Sequence, residues 1–78
     1  MKNFDAVLDS SGLYCPEPIM LLHNVIRDIG TGHVVKVIAT DPSTKRDIPK
    51  FCGFLGHELL STDYNDNDGV FVYYVQKK

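Results

Sequence analysis

Cys15 stands in the tetrapeptide Cys15-Pro16-Glu17-Pro18, between a short apolar stretch and a long amphipathic one. Where a Cys-x-x-Cys redox pair would carry its second thiol, this chain has Pro18, so no local disulfide competes for the sulfur. A thiol in that setting suits a nucleophile that accepts a group, holds it and hands it on. The spacing predicts a helix opening at Pro16, which makes Cys15 its N-cap or the neighbour of the cap. Up to four first-turn N–H groups and the positive end of the helix dipole then favour thiolate, with Glu17 opposing. Reading Cys15 as a small apolar plug explains neither the proline frame nor the missing standard cap.

Cys52 reads differently. It falls with Ile48, Phe51 and Leu55 at i, i+3, i+4, i+7 spacing on the apolar stripe of a second helix, where a thiol is inert packing. His23, His33 and His57 join neither cysteine in Cys-x-x-Cys or His-x-x-x-His spacing, so no metal site is expected. His23 lies about 12 Å along the helix from Cys15 at 1.5 Å rise per residue, too far to act as its direct base. His23 and Arg27 share an exposed helix face, read either as solvated surface or as a docking patch. Phe54 lies off the second helix's apolar stripe, and an exposed aromatic there is a favoured interface anchor. Arg46 and Asp47 decorate the entry to that helix or contribute to the same docking.

The elements that must position these groups follow from periodicity. Phe4, Ala6 and Leu8 alternate with Asp5, Val7 and Asp9, a strand with one apolar face. Ile19, Leu22, Ile26 and Ile29 predict an amphipathic helix over 16–29, with Pro16 and Pro18 at first-turn positions that lack intrahelical N–H partners and with Gly30 as its stop. The β-branched run over 33–40 predicts a buried central strand. A second helix, capped by Asp47 with Pro49 in its first turn, ends at Gly56. Strands over 59–64 and 70–75 flank a hairpin loop over 65–69. The order is βαβαββ, predicting a mixed four-stranded sheet with both helices on one face.

The 78 residues fit one domain, expected to bury about 60–65% of its unfolded surface and to leave little room for a deep pocket. The formal charge is −2 and the basic residues are scattered, which argues against direct nucleic-acid binding. Met1-Lys2-Asn3 opens no apolar signal segment and no apolar run approaches about 20 residues, so a soluble, cytoplasmic protein with reduced thiols is expected. No cofactor is implied.

Two segments, Gly12-Leu13-Tyr14-Cys15-Pro16-Glu17-Pro18 and residues 41–52 with Arg46-Asp47-Ile48-Pro49, together with the βαβαββ order, resemble the TusA/SirA family of small sulfur carriers over nearly the whole chain. The resemblance implies a two-layer α/β sandwich and a single sulfur-carrier domain spanning 1–78. It implies that Cys15 accepts a persulfide sulfur from a pyridoxal-phosphate cysteine desulfurase and passes it to a downstream relay protein, toward tRNA wobble 2-thiouridine. It makes Arg27, Asp41, Arg46 and Phe54 candidates for partner docking. Tyr14 stands where TusA-like members often carry Arg, and His23 replaces a basic residue. Two rival readings are a non-catalytic regulatory or interaction module and a thiol peroxidase or dithiol oxidoreductase pairing Cys15 with Cys52; a relay serving another pathway is a third.

Overall fold

Strand and helix periods in the sequence become two layers in the computed structural model, which describes residues 4–65 and 68–78. The elements are β1 (Ala6–Ser10), α1 (Glu17–Asp28), β2 (Val34–Ala39), α2 (Thr44–Leu55), β3 (Glu58–Asn65) and β4 (Val70–Gln76). They form one sheet in the order β1-β2-β4-β3, with β1 and β2 parallel and the other two pairs antiparallel. The chain leaves β2 through α2, skips one place to β3, and β4 then fills the gap. The expected hairpin loop and opening tripeptide fall partly or wholly on residues 1–3 and 66–67, outside the described residues.

One sheet face carries the core. Register sets Leu8 beside Val37 and Val37 beside Tyr73, and the same alternation brings Val35, Ala39, Phe71 and Val75 onto that face. Leu22 and Ile26 of α1 and Ile48, Phe51 and Cys52 of α2 close over them. Both helices therefore lie on one face, as their apolar stripes require. Leu22, Val35, Val37, Tyr73 and Val75 are fully buried.

Two helix starts and the burial of one side chain differ from the sequence expectation. Pro16 is the N-cap of α1 rather than its first residue, so Pro18 takes the second helical position, and Cys15 lies one residue outside the cap. Helix α2 starts at Thr44 behind Ser43, and Asp47 sits inside its first turn rather than capping it. The reason is Asp41: its side chain accepts the Ser43 N–H at 3.0 Å and its carbonyl accepts the Thr44 N–H at 3.0 Å. This Asx turn launches the helix four residues early. Pro49 then falls in the second turn, where it removes an N–H from the helical ladder. Leu55, expected on the buried stripe, is 44% exposed because α2 ends beside it at Gly56, whose φ of 77° turns the chain away.

Candidate functional site at the cysteine loop

Parallel pairing of β1 and β2 puts their C-terminal ends side by side, and the loop carrying Cys15 is fastened there. Ser10 Oγ donates to the Ile38 carbonyl at 2.7 Å, and Leu13 N–H to the Ser10 carbonyl at 3.1 Å. Gly12, with a φ of 81° that only glycine adopts cheaply, turns the chain so that its N–H reaches Thr40 Oγ1 at 2.8 Å. Cys15 N–H then donates to Asp41 Oδ2 at 2.7 Å. Asp41 is the hub: Oδ2 also accepts from Ser43 Oγ at 2.7 Å. One buried carboxylate thus ties the cysteine loop to the turn that launches α2. Beneath it, Thr44 Oγ1 donates to the Asp41 carbonyl at 2.7 Å and meets Tyr73 Oη of β4 at 2.8 Å. Since the Thr44 proton points to the carbonyl, the Tyr73 hydroxyl is the donor of that second bond. The Asp41 carboxyl is held below the usual carboxylate range by the Ser43 N–H, the Ser43 hydroxyl and the Cys15 N–H.

The thiol itself is exposed, and no disulfide joins it to Cys52, which is buried. It opens onto a groove of about 730 Å³ between the helices, walled by Ile19, Met20 and His23 of α1 and by Phe51, Phe54 and Leu55 of α2. Met20 and Phe54 are 59% and 82% exposed, large apolar side chains offered to solvent beside the exposed sulfur. His23 also borders a second, smaller groove with Arg27, His57 and Lys77, so it stands where the two meet. Its ring packs edge-on against Phe51 at 6.2 Å rather than serving the thiol.

Helix polarity and Glu17 pull the Cys15 thiol in opposite directions in the sequence, and the groups around the sulfur in the fold set the direction. Pro16 and Pro18 delete two of the first-turn N–H groups, and the Glu17 N–H is taken by the Tyr14 carbonyl at 2.9 Å. Little remains of the positive end that was expected to favour thiolate. Instead the Cys15 pKa is raised above the ordinary thiol value, first by a hydrogen bond to Asp47, then by desolvation and the charges of Asp47 and Asp41, with Arg46 opposing. The sequence offers Glu17 as the opposing carboxylate, but the one with the largest effect on the thiol is Asp47. Nothing local in the sequence marks it, because it comes from a helix 32 positions later and only tertiary packing brings it near. Burial pushes the Cys52 thiol up to about 11, in keeping with a packing role.

Of the docking candidates, Phe54 is on the groove and Arg27 on the smaller groove beside it, its side chain 67% exposed and 3.7 Å from Asp28. Arg46 is 72% exposed and reaches Asp47 Oδ1 at 3.1 Å. Asp41 is only 7% exposed, with both carboxylate oxygens engaged inside the protein. Among the described residues no three His, Cys, Asp or Glu side chains are grouped to hold a metal ion, and no helix is long and apolar enough to cross a membrane.

Comparison with known proteins places this geometry. The solved structure of a SirA-like protein from Desulfitobacterium hafniense superposes with a TM-score of 0.81, covering 92% of this chain and 96% of that one at 22% sequence identity, a likeness of fold. The sulfur carrier protein TusA of Pseudomonas putida (strain GB-1) is 60% identical over 74 residues, 95% of this chain and 90% of that protein. The protein of the same name from Pseudomonas paraeruginosa (strain PA7) is 58% identical, over 95% of this chain and 91% of its own length. The family model described as Sulfurtransferase TusA matches residues 6–77, and the chain belongs to the TusA family.

Proposed function

We propose that this chain is a sulfur carrier in which Cys15 holds a persulfide between a donor and an acceptor protein. The observation that carries the reading is the placement of Cys15: an exposed thiol at the mouth of an apolar groove, with the second cysteine locked in the core. A carrier needs its sulfur accessible to another protein and safe from a resolving thiol, and both conditions are met. The family membership and the name borne by the Pseudomonas relatives support it.

In the loading step Cys15 Sγ, as thiolate, attacks the outer sulfur of a donor Cys–S–SH. The donor S–S bond breaks, its inner sulfur leaves with the electron pair and takes a proton, and Cys15–S–SH forms. Delivery repeats the exchange, with an acceptor thiolate attacking the outer sulfur on Cys15. One persulfide is consumed and one made each time, so no oxidant is required. The donor is a cysteine desulfurase and the acceptor a downstream relay protein, on a cytoplasmic route to the 2-thiouridine of tRNA, with no direct contact to nucleic acid. Residues 1–78 act as one carrier domain. Pro16, Glu17 and Pro18 frame the thiol, and the pinned loop limits the ordering lost on docking. Phe54, Arg27 and Arg46 meet the partners, whereas Asp41 acts on docking through the loop it holds.

Intact-mass measurement after incubation with a cysteine desulfurase, pyridoxal phosphate and cysteine tests the reading. A reductant-sensitive gain of one sulfur atom is expected in the wild type and Cys52→Ala, and none in Cys15→Ser. No gain, with a desulfurase active on another carrier, would return the chain to the class of non-catalytic interaction modules. Loss of the gain in Cys52→Ala would favour a dithiol mechanism instead.

A further inference from the structure

His23 and Arg27 stand one turn apart on α1, His57 lies in the connection between α2 and β3, and Lys77 follows the last strand. Far apart in sequence, they line one groove of about 300 Å³, together with the apolar Ile26 and Leu55. That volume lies at the small end of ligand sites. Basic residues that look scattered along the chain thus converge on one recess, and two of them are held in place. The Lys77 N–H donates to the His33 carbonyl at 2.8 Å, and its carbonyl accepts the Gly32 N–H at 2.9 Å. Its Nζ gives one proton to the Ile29 carbonyl at 2.7 Å, which leaves two more to donate. His57 Nδ1 accepts the Lys78 N–H at 3.1 Å, and the ring packs on Phe51 with centroids 5.9 Å apart. With Nδ1 an acceptor, the neutral ring carries its proton on Nε2, which meets no acceptor among the described residues. Burial, with the charges of Lys77, His23 and Lys78, holds His57 below the ordinary imidazole value and favours that neutral ring.

Positive charge here is poorly compensated. Arg27 Nε lies 3.7 Å from Asp28 Oδ1, a pair exposed on both sides and so worth little. No carboxylate pairs with Lys77 among the described residues. We propose that this groove binds a phosphate dianion, free or as the end of a phosphomonoester, between Arg27 and Lys77 with the His57 Nε2–H as a third donor. Two permanent cations match two negative charges, whereas a single carboxylate would leave one cation uncompensated. A lysine and an imidazole fixed beforehand remove much of the ordering cost of binding. His23 and Leu55 also border the larger groove, which gives the arm of an ester an apolar surface to follow. The site uses neither cysteine and is independent of the sulfur-carrier reading.

The test is a nuclear magnetic resonance titration of the isotope-labelled full chain with sodium phosphate, at slightly alkaline pH and constant ionic strength. Resonances of Arg27, His57 and Lys77 should shift together and saturate. Lys36 and Lys45, whose ammonium groups lie over the Phe4 ring and over the Tyr64 and Phe71 rings, should show no saturating shift. Arg27→Gln and Lys77→Gln should each weaken binding about fivefold, the factor for one unit charge near 4 Å in solvent-like surroundings. Cys15→Ser should bind as the wild type does. A nucleoside monophosphate that saturates the same resonances at lower concentration assigns the site to an ester; equal or weaker binding assigns it to the free ion. Shifts that rise without saturating in the wild type would overturn the proposal, whatever the variants do. So would acetate binding as well as phosphate, or Lys36 and Lys45 responding as strongly as Lys77.

Discussion

Replacing Thr44 by valine removes a hydroxyl that is 1% exposed and works in two directions, donating to the Asp41 carbonyl and accepting from Tyr73 Oη. Tyr73 is fully buried, so its hydroxyl has no water to turn to. The lost bond is worth about 1 kcal/mol net, and the stranded phenol adds about 1–2 kcal/mol of desolvation. Thr44→Val should therefore cost about 2–3 kcal/mol. Tyr73→Phe removes only the donor and leaves Thr44 bonded to Asp41, for about 1 kcal/mol. In Thr44→Val/Tyr73→Phe no phenol is stranded, so the double variant should cost less than the sum of the two singles. Urea unfolding followed by circular dichroism gives all three values, and each kcal/mol should lower Tm by about 4–8 °C in a chain of this size. Equal costs for the two single variants, or strict additivity in the double, would refute the argument that Thr44 couples the core strand to the Asp41 turn. Thr44→Val should also slow sulfur loading of Cys15, since the turn that fixes the Cys15 N–H loses one of its supports.

The Asp41 carboxyl is held low in the folded state, so the unfolded chain binds more protons as pH drops below the ordinary carboxylate value near 3.8. Its contribution is present above that pH and lost as pH falls through the folded value; Asp41→Asn should lower Tm at neutral pH and flatten the acid limb of the Tm–pH curve, which thermal melts between neutral and acid pH will check. Phe54→Ala, at a site 82% exposed, should leave stability within about 0.5 kcal/mol while raising the KM for loading by a desulfurase several-fold. Steady-state loading rates at varied carrier concentration separate that result from a fall in kcat. Cys52→Ala should cost about 1 kcal/mol of packing and leave sulfur loading intact, read by urea unfolding and intact mass.

Much of this protein lies in local pattern. Alternation placed Leu8 inward on β1, the i, i+3, i+7 spacing placed Leu22 and Ile26 beneath α1, and a β-branched run marked β2 as central. These signals are legible because a side chain's face follows from its offset along a regular element. The same logic singled out Cys15 and dismissed Cys52, since one stands at an element boundary and the other on a buried stripe. Boundaries were less legible. Asp47 carries the residue type of a helix cap, but the Asx turn at Asp41 captured the helix start first, a competition that composition does not rank.

The protonation balance of the thiol is left open by the sequence, and tertiary structure supplies the groups that tip it. By itself the sequence determined that a lone, proline-framed cysteine precedes an amphipathic helix, and that points to a group-carrying nucleophile. Polarity of that helix alone argues for thiolate. The fold instead removes most of the free N–H groups through the two prolines and the Tyr14 contact, then carries Asp41 and Asp47 to the sulfur from beyond β2. Local identity sets which atoms can react; which charges surround them depends on contacts between residues far apart in the chain, because Coulomb energy follows distance in space and not separation in sequence.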